Sequence, residues 1–168
     1  ANTTASNNTS VGYASMQHNT TGASNTAVGP YALQSNTTGA DNTALGMNAL
    51  QANTTASYNS ALSRGALTNN TTGSNNTAAG YIALNQNTTG VKNAAFGMQS
   101  LDANTTGDDN TAIGYNALTS NTTADDNTAV GKDSMLTNTT GANNTALGSN
   151  ALQANTNASN NVAIGKLS

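Results

Sequence analysis

Four aspartates are the residues of this sequence best suited to binding a metal ion. Asp108 and Asp109 form one adjacent pair, and Asp125 and Asp126 form a second pair 17 residues later. Carboxylate oxygens are ligands that Ca²⁺ prefers, so a fold that stacks the two pairs predicts a Ca²⁺ site. The alternative, which we favour, is a solvated acidic corner relieved by Lys92, 17 residues before Asp109. No other cofactor is predicted.

The remaining ionisable residues offer little for catalysis. His18 is the only histidine, and the chain has no cysteine and no glutamate. A nucleophile, a base and an orienting group cannot be assembled from this inventory with any specificity, so the sequence predicts that the protein is not an enzyme. The net charge of −3 and the pI near 4.5 do not suggest binding to nucleic acid or to an anionic membrane.

Nine copies of the pattern Asn-x-Thr run from Asn2 to Asn138 at intervals of 17 residues. This pattern is an N-glycosylation acceptor. Because a repeat generates it automatically, each match is weak evidence. In a bacterial or viral fibre we expect these asparagines to be bare, whereas in an archaeal or eukaryotic filament they could carry sugar.

The residues above are positioned by a 17-residue repeat that occupies the whole chain. Numbering the repeat from Asn2 as position 1, residues 1–168 form one array of nine full repeats and a partial tenth that ends at Ser168. Asparagine occupies positions 1 and 7 in all ten copies, and no insertion breaks the phase. Self-similarity of this kind indicates stacked structural units. We call each repeat a rung, and residues at the same position in successive rungs a column.

The pattern within a rung predicts short strands wound into a parallel coil. Apolar residues occur at positions 9 and 10 and at positions 14 and 15, which does not match the 3.6-residue period of a helix. Glycine at position 11 in nine of ten rungs indicates a tight bend. No Asn-Gly pair is present to favour two-residue hairpins. We therefore predict an all-β parallel β-solenoid of ten rungs, about 4.8 Å apart.

Stacking gives the invariant asparagines a structural role. A residue that recurs once per rung lies above its own copy, so asparagine amides can hydrogen-bond along a ladder. The predicted ladders are position 7, represented by Asn8, Asn25 and Asn42, and position 1, represented by Asn19, Asn36 and Asn53.

The apolar pairs predict contacts beyond one chain. In an extended strand Ala27 and Val28 point to opposite faces, yet a thin coil has one interior. We expect one column to fill the coil and the other to pack on neighbouring chains. The adjacent pair Ala32 and Leu33 is expected to be divided in the same way, with one side chain inside and the other outside. Position 12 varies widely and is expected to be exposed. The core or inter-chain residues predicted on this basis are Val28, Leu45, Ile113, Leu147, Leu33, Leu50 and Leu118.

Three segments carry a resemblance to known fibres. NTAIG at 110–114, NTAVG at 127–131 and NNVAIG at 160–165 resemble the head repeats of trimeric autotransporter adhesins. The fuller pattern NTAIGYNALTSNTT at 110–123 also resembles the repetitive shafts of trimeric bacteriophage tail fibres. The adhesin heads are left-handed parallel β-rolls with a shorter repeat. The resemblance implies a left-handed, extracellular structural fibre on a virion or a cell surface, most often a homotrimer. A cell-surface glycan or receptor would be bound by regions outside this chain.

The ends and the threonines add two further expectations. Neither end has an aperiodic cap, so we expect a fragment of a longer fibre or an end-to-end filament. The sequence also resembles Asn/Thr-rich ice-binding β-rolls, and Thr20, Thr37 and Thr54 form an unbroken column. An ice-binding β-solenoid is therefore the alternative function.

Overall fold

The structure, a computed structural model, describes residues 4–168 and is all-β over that range. Each rung contributes one strand at positions 8–10, directly after the invariant asparagine of position 7. The ten strands are β1 (Thr9–Val11), β2 (Thr26–Val28), β3 (Thr43–Leu45), β4 (Ser60–Leu62), β5 (Thr77–Ala79), β6 (Ala94–Phe96), β7 (Thr111–Ile113), β8 (Thr128–Val130), β9 (Thr145–Leu147) and β10 (Val162–Ile164).

All ten strands pair in parallel, in sequence order, within one sheet. Each residue lies beside its equivalent 17 positions later, as when Ala27 pairs with Ala44 and Val28 with Leu45. This register confirms the predicted parallel β-solenoid of 17-residue rungs. The predicted left-handed winding stays a prediction.

Rungs are also hydrogen-bonded outside the strands. The backbone N–H of Leu33 donates to Ala49 O at 3.0 Å, that of Thr37 donates to Thr54 O at 2.9 Å, and that of Asp41 donates to Ala23 O at 3.0 Å. These bonds lie at positions 15, 2 and 6, so the backbone ladder runs around most of the coil. Buried backbone groups that lie outside a sheet are thereby paired.

Three columns of small or aliphatic side chains fill the coil. Ala27, Ala32 and Leu33 are fully buried in the second rung, and their equivalents form one continuous cluster along the axis. Val28 points outward instead and is 38% exposed. Within each strand, therefore, the side chain at position 9 points into the coil and the side chain at position 10 points away from it.

The expectation for Ala32 and Leu33 was wrong, because both side chains lie inside. The two residues are not in an extended strand: Leu33 has φ +51° and Tyr31, two residues earlier, has φ +59°. Left-handed backbone of this kind breaks the alternation of strand side chains. It costs a leucine roughly 1–2 kcal/mol, while full burial of its side chain is worth roughly 1.5–3 kcal/mol.

The corner after each strand requires glycine for two reasons. Gly46 has φ +130°, and a Cβ there would lie 2.6 Å from the carbonyl carbon of Ser63 in the next rung. Ser63 is the exception at position 11, and it adopts the same φ of 130°. Above it, Gly80 opens to φ +150° and its N–H donates to Leu62 O at 3.1 Å. Ser63 is therefore a locally strained point in the array.

Candidate interaction surface

The outer face of the sheet carries a continuous apolar column at position 10. Its large side chains are well exposed from one end of the array to the other, for example Leu45 at 39% and Leu147 at 47%. The smaller Ala79 and the valine Val130 are half-buried. Of the predicted apolar residues, the structure places Val28, Leu45, Ile113 and Leu147 on this outer face, and Leu33, Leu50 and Leu118 in the coil interior.

Positions 8 and 12 lie two residues to either side of this column, and position 12 includes aromatic and basic residues. Position 8, two residues earlier on the same face of the strand, is threonine in most rungs and includes Thr26. Position 12 is exposed at Tyr13, Tyr81 and Tyr115, and the guanidinium carbon of Arg64 lies 5.8 Å from the centre of the Tyr81 ring. Aromatic residues, methionine and arginine are enriched in protein interfaces.

Position 1 forms an amide ladder inside the coil. The Nδ2 of Asn36 donates to Asn19 Oδ1 at 2.7 Å and to Gly39 O at 2.9 Å. Asn53 repeats both bonds, to Asn36 Oδ1 and to Ala56 O. These asparagines are at most 1% exposed. The Nδ2 atoms to which a sugar would be attached in these Asn-x-Thr motifs are therefore buried and hydrogen-bonded within the coil.

Position 7 forms a second ladder of mixed type. Asn8 Oδ1 accepts the backbone N–H of Asn25 at 2.8 Å, and Asn25 Oδ1 accepts that of Asn42 at 2.9 Å. The Nδ2 of Asn25 donates to Gly39 O at 2.8 Å. Each asparagine thus links its own rung to two groups of the next rung. Asn127 departs from this pattern, because its buried Nδ2 has no partner.

The two threonine columns at positions 2 and 3 differ in exposure. Thr20 and Thr37 are half-buried, and their hydroxyls donate to Thr37 O and Thr54 O at 2.9 and 3.0 Å. The position-2 threonines, which the sequence suggested as an ice-binding column, therefore use their hydroxyls to bond the backbone of the next rung. The position-3 threonines are exposed in nine consecutive rungs: Thr4, Thr21, Thr38, Thr55, Thr72, Thr89, Thr106, Thr123 and Thr140.

The aspartate pairs are stacked as the repeat predicts, and two carboxylates accept backbone N–H groups. Val91 donates to Asp108 Oδ1 at 2.7 Å, and Asp108 donates to Asp125 Oδ1 at 2.8 Å. In the next column Lys92 Nζ lies 3.6 Å from Asp109 Oδ2. Within residues 4–168 no three acidic or histidine side chains are grouped to hold a metal ion. The Ca²⁺ site stays a prediction.

Asp102 is an acidic side chain that lies half-buried on the coil. Partial burial of its carboxylate raises the pKa of Asp102 above the ordinary value of 3.8. Residues 4–168 form no pocket. Over the same residues, no helix has the length and apolar character needed to span a membrane.

Comparisons with protein-family models, with curated proteins and with solved structures found no match to this chain. The resemblance to adhesin heads and tail-fibre shafts stays a prediction from the repeat pattern.

Proposed function

We propose that this chain is a segment of an extracellular structural fibre, the shaft of a phage tail fibre or a surface adhesin, in which copies associate through the position-10 column. Three chains per fibre is the stoichiometry we expect. The observation that carries this proposal is a difference between exposed columns. Position 10 is apolar in all ten rungs, whereas position 6 varies from Ser24 to Lys92 and position 12 from Pro30 to Lys132.

The coil itself does not explain this uniformity. The interior is filled by positions 9, 14 and 15, and the side chains of position 10 lie outside it. A contiguous exposed apolar surface is characteristic of a binding site. Covering it would remove apolar area from water, at roughly 25 cal/mol per Å².

A second copy of this chain is the partner that matches the surface. The column repeats every rung, about 4.8 Å, and another copy presents side chains at the same interval. No charged side chain occurs at positions 8, 9 or 10, so like-charge repulsion within this face does not oppose self-association. Parallel copies would bury equivalent columns against one another along the whole rod.

Light scattering after size exclusion tests this proposal. The wild-type chain at micromolar concentration should have a mass of three times 16.7 kDa. Leu45→Asp with Leu147→Asp should give a folded monomer, because both side chains point out of the coil. The control is Thr38→Asp with Thr140→Asp, in the same two rungs, which should keep the wild-type mass. A wild-type monomer, or a Leu45→Asp with Leu147→Asp variant that keeps the trimer mass, refutes the proposal.

Ice binding is the second candidate, and the position-3 column favours it. Nine consecutive rungs present an exposed threonine at one position, and no side-chain hydrogen bond within residues 4–168 engages those hydroxyls. A regular row of methyl and hydroxyl groups is the kind of surface that ice-binding solenoids use. The same variants discriminate the two functions. Thermal hysteresis that is lost in the Thr38 and Thr140 variant but kept in the Leu45 and Leu147 variant would establish ice binding.

A further inference from the structure

The Asn-x-Thr pattern also occurs away from position 1, and at position 6 its asparagine is exposed. At position 17 it occurs once, at the half-buried Asn69, whose Nδ2 donates to Gln86 Oε1 at 3.2 Å. Asn75 and Asn143 lie at position 6, and each is followed two residues later by a threonine, Thr77 and Thr145. Both asparagines are exposed, and neither side chain makes a hydrogen bond within residues 4–168. Asn7 has the same pattern and exposure.

These asparagines contrast with those of position 1. Asn70, in the same rung as Asn75, is fully buried, and its Nδ2 donates to Asn53 Oδ1 at 3.0 Å and to Gly73 O at 2.9 Å. A sugar on that nitrogen would replace a ladder hydrogen and would occupy space that the coil fills. The folded protein therefore divides its acceptor motifs into a structural set and an accessible set.

We propose that Asn75 and Asn143 are N-glycan acceptor sites of the folded protein, with a nucleoside diphosphate sugar as donor, whose nucleoside diphosphate is the leaving group. In the transfer, Nδ2 forms a bond to the anomeric carbon while the bond from that carbon to the diphosphate oxygen breaks. The Nδ2 proton passes to a base of the transferase, and the nucleoside diphosphate leaves. The two sites are four rungs apart, about 19 Å along the axis, so both can be occupied at once.

Geometry explains why position 6 suits this modification. Asn75 and Asn143 have φ of 63° and 58°, a left-handed conformation that asparagine tolerates. Their backbone N–H groups donate to Ser57 O and Asp125 O at 3.1 and 3.2 Å. The backbone is thus fixed by the preceding rung while the side chain is left in solvent. Modification of Nδ2 disturbs no bond of the coil.

The chain contains its own controls. Asn160 is also exposed at position 6, but the residue two positions later is Val162, so it lacks the acceptor hydroxyl and should stay bare. Thr77 and Thr145 occupy position 8 on the outer face of the sheet, where the last rung has the exposed Val162, and neither hydroxyl makes a hydrogen bond within residues 4–168. The double variant Thr77→Val and Thr145→Val should therefore keep the wild-type melting temperature and lose the sugar at both sites.

The test uses a soluble Asn-x-Thr glycosyltransferase with UDP-glucose on the folded chain, followed by peptide mass mapping. Hexose is expected on Asn75 and Asn143, at least tenfold more than on any position-1 asparagine. The chain unfolded in urea and diluted into the reaction should gain hexose at position 1 as well. An Asn-Asn-Thr peptide verifies that the enzyme is active. Bare Asn75 and Asn143 in the folded chain, or comparable hexose on Asn70, overturns the proposal.

Discussion

Replacement of Asn76 by aspartate tests how much the position-7 ladder contributes to stability. Asn76 is fully buried, and its Nδ2 donates to Gly90 O at 2.8 Å. Its Oδ1 accepts the backbone N–H of Asn93 at 2.9 Å. Aspartate has nearly the same shape and keeps the acceptor. When ionised, however, it places a carboxylate oxygen next to Gly90 O, in place of the Nδ2 that donated a hydrogen bond to it.

The size of the effect follows from these contacts. Loss of the donor leaves Gly90 O unpaired, at a cost of about 1–3 kcal/mol. Burial without a counter-ion raises the pKa of the new carboxyl, and the Asn93 N–H partly opposes the rise. Each pKa unit of this rise lowers the free energy of unfolding by about 1.4 kcal/mol once the carboxyl is ionised in both states. Because the folded-state pKa is raised, this cost is absent below the unfolded pKa of about 3.9 and grows as the pH rises through the folded-state value.

Asn75→Asp is the matched control, since it makes the same chemical change one residue away at an exposed site. Urea unfolding followed by circular dichroism at about pH 3.5 and about pH 7 measures both variants against wild type. At the lower pH the protonated carboxyl introduced by Asn76→Asp can donate to Gly90 O, so all three proteins should unfold at similar urea. At the higher pH only Asn76→Asp should lose stability. Two variants within about 0.5 kcal/mol of each other at about pH 7 would refute the role of the ladder.

Three further outcomes are expected. Ser63→Gly should raise the free energy of unfolding by about 1 kcal/mol, and with it the urea midpoint, because serine is strained at φ 130°. A lowered midpoint contradicts this. Asp102→Asn should raise the melting temperature at about pH 7 but not below pH 3.8, because burial raises the pKa of Asp102 and its ionisation above that value costs stability; an equal gain at both pH values contradicts this. Asp125→Asn keeps the acceptor for the Asp108 N–H, so the melting temperature should not change with or without a chelator; a chelator-dependent fall in wild type alone would reveal a Ca²⁺ ion.

The architecture was predictable because the repeat determines it. An unbroken 17-residue phase requires each rung to sit in register on the next, and invariant asparagines at fixed intervals indicate ladders. The hydrogen-bonding partners of these asparagines could not be predicted from the sequence. Position 1 pairs amide with amide, whereas position 7 bonds chiefly to backbone groups, as in the bond from the Asn25 N–H to Asn8 Oδ1. The difference depends on the angle at which each side chain enters the interior, and both columns are asparagine in sequence.

Left-handed backbone was the feature that local preference did not predict. Position 6 is often asparagine or aspartate, which tolerate positive φ, but position 15 is leucine or methionine and also has positive φ, from Met16 to Leu152. The burial of these leucine and methionine side chains in the coil offsets the cost of their left-handed backbone. Exposure of the Thr21 column rather than the Thr20 column follows from the same bends, because strand alternation does not determine side-chain direction outside the strands.

Size variation is the sequence signal that separates the inner column of each strand from the outer one. A close-packed interior holds one side-chain volume per rung, and position 9 is alanine in nine of ten rungs. Position 10 ranges from Ala79 to Phe96 in adjacent rungs, which a closed coil could not accommodate at one site. Whatever covers this column must fit a small and a large residue side by side. A partner surface lined by side chains can do so, whereas a flat crystal plane cannot, so the position-10 column argues for protein assembly and leaves the position-3 threonines as the candidate ice surface.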